Sequence, residues 1–146
     1  MRFNILIFLL FSVFLHAQKE CVKDKKEAME LIKQLNNAYE KKENLENFFT
    51  YYVQCLVCDI DDGYENEYII ENKKFIQNNL KESIGLLNDK VIEKSKTHFS
   101  KQENSLVLSY ETLKPNKKTG FEGASALIIF KREDGKLKIH GIQTIP

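Results

Sequence analysis

Long apolar runs, a charge of one sign and loop-forming residues are all scarce in this chain, and each shortage narrows the reading. Six Gly and two Pro occur in 146 residues, with 42% hydrophobic and 29% charged. That balance sets aside low-complexity and disordered classes, and the length suits one domain around one core. With 22 basic against 21 acidic residues, the net charge gives no reason to expect binding to nucleic acid or to an anionic membrane. The one extended apolar run, Ile5 to Leu15 broken only by Ser12, falls short of the roughly 20 residues that span a bilayer. Arg2 before it and Ala17 after it make residues 1–17 read as a secretory signal peptide, leaving 18–146 as a single domain. An exported, secreted or periplasmic, chain is expected, with no membrane attachment after cleavage. No internal repeat, linker or catalytic signature is visible.

What is present is periodicity. Ala28, Leu31, Ile32, Leu35, Ala38 and Tyr39 recur at spacings of three and four, which predicts a helix over 23–42. Asn44 can cap a second, shorter helix that carries Leu45, Phe48, Phe49 and Tyr52. Val53 to Asp59 predicts a short strand, followed by the acidic loop "DIDDGYENEY" and a third helix from about Ile70 to Leu87. From Lys90 the period changes to two. Strands are expected over Val91 to Phe99, Ser105 to Leu113 and then Gly123 to Pro146, where Glu133-Asp134-Gly135-Lys136 signals a tight hairpin. Leu137, Ile139 and Ile145 are expected to point inward, although Gly141 can introduce a bulge that reverses the parity beyond it. The outer sheet face then mixes Leu127 and Ile129 with Lys138 and His140.

This order of elements, closing on "FKREDGKLKIHGIQTIP", resembles the nuclear-transport-factor-2-like (NTF2-like) superfamily across most of 23–146. The resemblance implies an α+β cone, with N-terminal helices packed on a curved antiparallel sheet around a pocket. It carries over no catalytic residue, because no position here matches the acid and tyrosine motifs of the isomerases in that superfamily.

Local chemistry is sparse. Cys55 and Cys58 form a C-x-x-C pair, and Cys21 is the third cysteine; in an exported chain these are disulfide candidates, either with each other or through Cys21. The strand-to-helix setting of a thioredoxin site is missing. Zinc needs about four ligands, and His98 and His140 sit on outward strand faces, so no metal is assigned. Asp59, Asp61, Asp62 and Glu65 fail the calcium-loop pattern, where Gly63 and Tyr64 stand in place of a ligand and its glycine. Tyr52, Tyr110, Thr112 and Gln143 are the ligand-pocket candidates, as polar groups in register with apolar neighbours. The expectation is a non-catalytic module that binds a small apolar ligand or a protein, with a homodimer through the outer sheet face and no cofactor. The alternatives are a small isomerase-like or dehydratase-like pocket enzyme and a Cys55/Cys58 redox protein.

Overall fold

The computed structural model describes residues 23–56, 69–102 and 104–145. The signal-peptide reading, Cys21, Cys58 and the acidic loop all lie outside them. Helix α1 covers residues 23–40 and buries Ala28, Ile32, Leu35 and Ala38, the face that its spacing predicts. It ends at Lys42, whose φ of 57° lets Glu43 N donate back to the Ala38 carbonyl at 2.9 Å, a left-handed cap more often given to glycine.

The expected second helix is instead a single 3-10 turn, Glu46–Phe48. Asn44 Oδ1 accepts from Glu46 N at 2.8 Å, a turn contact just ahead of Leu45, which is the residue that caps the 3-10 turn, and strand β1, Phe49–Cys55, begins at once. The β-branched and aromatic run Thr50 to Val53 favours extended backbone, and β6 supplies a parallel partner. Strand β2, Ile69–Glu71, pairs antiparallel with β1. The expected third helix is broken at Asn79 into α2, Asn72–Asn78, and α3, Leu80–Ser83, and continues as a 3-10 turn, Ile84–Leu87. Helix α4, Asp89–Lys94, replaces the first half of the strand expected over Val91 to Phe99. Asn88 caps it by accepting from Val91 N at 3.1 Å, and Ile92 is buried.

The meander follows as β3, Thr97–Gln102; β4, Ser105–Leu113; β5, Ala124–Glu133; and β6, Lys136–Ile145. The six strands lie in the order β2-β1-β6-β5-β4-β3, so β5 and β6 form the centre. Asp134 and Gly135 make the hairpin with φ of 53° and 74°. The fold is α+β with helices packed on a sheet, as the resemblance implies, but with one helix fewer before the first strand and a sheet that is mixed and not antiparallel throughout, because β1 pairs in parallel with β6.

Register assigns the two faces. On β5, Ala126, Ile128 and Phe130 point inward and are fully buried, while Leu127 and Ile129 face outward. Ile129 pairs with Gly141 but Phe130 with Ile139, so His140 is an extra residue. The parity of β6 therefore reverses: Ile142 joins the core, and Ile145, expected inward, is 44% exposed on the outer side. The space between helices and sheet is occupied by Phe49, Phe75, Leu87, Leu108, Tyr110 and Phe130, with Phe49 and Phe75 meeting edge-on at 5.2 Å.

Two glycines separate backbone need from convenience. At Gly123, φ is +101° and an added Cβ would lie 2.9 Å from the Leu113 carbonyl oxygen, whereas nothing stands within 4 Å at Gly85. Gly123→Ala is expected to lower unfolding stability by about 2 kcal/mol. Gly85→Ala, by contrast, should raise it by about 0.5 kcal/mol; urea denaturation of both variants checks the contrast.

Candidate functional site

The bulge gathers one polar cluster that sequence reasoning had dispersed. Thr50 is 5% exposed on β1, and its hydroxyl donates to the Tyr52 carbonyl at 2.6 Å. His140 Nδ1 lies 3.1 Å from the Thr50 hydroxyl oxygen, and Lys131 Nζ lies 2.9 Å from Nε2. With the hydroxyl proton committed and the ammonium able only to donate, the network assigns Nδ1 as the protonated nitrogen and Nε2 as the acceptor. Beside it, Glu133 accepts from Lys138 Nζ at 2.6 Å and from Tyr51 N at 3.3 Å. The sequence had placed His140 as a solvated strand histidine; it is half-buried and bonded on both nitrogens. Gly141 signalled the bulge, but the partner on β1 is 90 residues away.

This arrangement does not activate a nucleophile. A hydroxyl becomes one when a base takes its proton, and here the Thr50 proton points to a backbone carbonyl while the imidazole donates to the oxygen. The cluster pins β1 to β6 across the bulge. Burial, and after it the charge of Lys131, hold the His140 pKa below the ordinary imidazole value of 6.5.

A second cluster closes the hairpin end of the sheet onto α1. Arg132 donates to both oxygens of Glu27, at 2.6 and 3.1 Å, and to Asp24 at 2.9 Å; Lys101 lies 3.7 Å from Asp24. The Arg132 hydrogen bond holds the Glu27 carboxyl below its usual range, and the bond from Lys138 does the same for Glu133. Beside this network is an open cleft of about 560 Å³ lined by Lys23, Asp24, Lys101 and Arg132 together with Leu106 and Phe130. Of its charged groups, Asp24, Lys101 and Arg132 already face one another.

The four pocket candidates do not converge. Tyr110 is buried, and its hydroxyl donates to the Leu86 carbonyl at 2.7 Å; burial alone pushes its pKa up to about 12. Tyr52 is 51% exposed, packs edge-on against Tyr51 at 4.7 Å and sits three strands away from Tyr110. Thr112 lies where the β4–β5 register shifts. Gln143 pairs with Leu127, which puts it on the outer face, opposite to Tyr110. Sequence parity alone had put Gln143 inward, because it did not count the bulged residue.

Cys55 is fully buried at the end of β1, and Cys21 and Cys58, the other disulfide candidates, lie outside the described residues. His98 is exposed. Among the described residues, no three His, Cys, Asp or Glu side chains gather into a metal-binding group.

No family model and no curated protein matches this chain. Among solved structures it is similar to a designed NTF2-like protein whose title begins "Rd1NTF2_05", at 12% identity and a TM-score of 0.44, over 87% of this chain and 99% of that one. The fold assigned here rests on the strand order itself.

Two outcomes follow from these clusters. Tyr110→Phe is expected to cost about 1 kcal/mol of unfolding stability, since the Leu86 carbonyl loses its donor; chemical denaturation measures it. As pH falls below about 6.5 the unfolded chain protonates its histidine before the folded one does, so stability drops with falling pH from there to the depressed folded pKa. Glu27 and Glu133 act lower, their contributions lost only as pH falls below about 4.5. Urea midpoints between pH 7 and 5 should flatten in His140→Gln, and an unchanged slope would remove His140 from this role.

Proposed function

We propose that this chain is an exported, non-catalytic protein-interaction module of the NTF2-like type, and that its working surface is the outer face of the sheet. The observation that carries this is the division of labour between the faces. Side chains from the helices and the inner face fill the core, whereas Val107, 6% exposed, and the half-buried Leu127 and Ile129 stand outside that cluster on the other side. Lys131, Lys138 and His140 border them, the mixture of apolar centre and polar rim that interaction surfaces carry.

Export is supported by the Arg2, Ile5 to Leu15 and Ala17 pattern, and an exported chain suits a disulfide at the buried Cys55, since disulfides persist in oxidising compartments. Cys58 or Cys21 is the proposed other half of that bond. Against a pocket enzyme stands the commitment of its best-placed groups: Tyr110 is spent on Leu86 and Thr50 on Tyr52. A second copy is the simplest partner, because closed two-fold pairing is the commonest oligomer of soluble proteins.

Light scattering on the mature chain is expected to give a dimer. Ile129→Glu should yield a monomer with an unchanged circular-dichroism spectrum. A wild-type chain that remains monomeric at millimolar concentration would rule out self-pairing through this face.

A further inference from the structure

Charges that balance over the whole chain are not balanced along the sheet. At the end that carries the Asp134-Gly135 hairpin, Lys101, Arg132 and Lys138 have carboxylate partners, and Lys136 is exposed there with no ion pair among the described residues. At the opposite end β4 passes into β5 through the 114–123 loop, and there Lys114, Lys117 and Lys118 are exposed. None of the three forms an ion pair among the described residues, and neither does Lys96, exposed just ahead of β3 at the same end. The acids nearest in sequence are Glu111, half-buried, and Glu122, exposed.

The same end collects apolar surface. Leu113 is 58%, Phe121 41% and Ile145 44% exposed, and the register sets Leu113 against Ala124 and Ile145 against Ser125, the first residues of β5. The loop is also internally bonded. Asn116 N donates to the Phe121 carbonyl at 2.8 Å and Thr119 N to the Asn116 carbonyl at 3.2 Å, while Asn116 Oδ1 accepts from Lys118 N at 3.0 Å.

From this juxtaposition we propose that the 114–123 loop end of the sheet docks on an anionic lipid surface. Lysines at such a surface gain from its negative potential, and adjacent aromatic and aliphatic side chains gain by entering the headgroup boundary. Neither set suffices alone, and stable attachment takes both. A soluble polyanion would engage the lysines but gain little from Leu113 and Ile145. Because surface fields fall off within about 8 Å at physiological salt, a near-neutral chain whose loop end clusters unpaired lysines is attracted locally and not at long range. The loop's own hydrogen bonds mean that little ordering entropy is lost on docking. This surface meets the outer face proposed above for pairing at Ile145, and its test, which alters Lys117, Lys118 and Phe121, is independent of that pairing.

The test is co-sedimentation of the mature chain with phosphatidylcholine vesicles and with vesicles containing about one-third phosphatidylglycerol, a composition giving a strongly negative surface. Binding is expected only to the anionic vesicles and should weaken with salt. Lys117→Ala with Lys118→Ala should reduce it about 30-fold, and Phe121→Ser about tenfold, with circular dichroism unchanged in each. Three results would overturn the proposal: no sedimentation with anionic vesicles, equal binding to both vesicle types, or binding to heparin but not vesicles that survives Phe121→Ser.

Discussion

One extra residue in β6 is the constraint on which the rest of the sheet depends. Ile139 and Ile142 are three positions apart, an odd spacing that a regular strand sends to opposite faces. Both are fully buried, and only the bulge at His140 allows it. Burying an isoleucine stabilises by about 1.5–3 kcal/mol, enough to outweigh one interrupted ladder position when the displaced polar groups find partners. They do: Thr50 and Lys131 take the two imidazole nitrogens. Gly141 completes the device, because a Cβ there would sit 3.1 Å from Ile129 Cδ1 and 3.2 Å from the Gln54 carbonyl oxygen. The missing side chain lets β1 approach and pair in parallel with β6.

The helical layer is fixed to the sheet by backbone groups of the 3-10 turn over Ile84–Leu87. Carbonyls at a helix end lack intrahelical donors. Here Leu86 O accepts from Tyr110 on β4, and Leu87 O accepts from Asn36 Nδ2 on α1 at 2.7 Å. A residue that by sequence looked like a ligand group is thus a bolt between layers. Among the described residues no buried side-chain nitrogen or oxygen lacks a partner, so the polar capacity of the interior goes into holding the layers together.

Helix α1, strand β4 and the final hairpin were legible because each repeats its period over eight or more residues or carries residues suited to positive φ. Shorter elements were not. Six residues from Asp89 to Lys94 are too few to separate a period of two from one of 3.6, and Ile92 is the only buried residue in that helix. Phe49 and Tyr52 have helical spacing, yet a parallel neighbour some 90 positions later decides in favour of a strand. The Arg132–Asp24 pair spans 108 positions and leaves no local signal at either end. Gly141 did announce a bulge; what that bulge brings to His140 depends on Thr50, which nothing nearby in sequence connects to it.

The two ends of the sheet differ in how their charges are used. Arg132 and Lys138 are held by carboxylates on α1 and on β5, and those pairs fasten the hairpin end. The lysines of the 114–123 loop contribute nothing comparable to the fold, so their charge is left facing solvent together with Phe121 and Leu113. A chain whose interior and hairpin end are occupied by structural pairing keeps its uncommitted chemistry outside. The outer sheet face and the loop end therefore carry the functional reading, and the filled space between helices and sheet carries the stability.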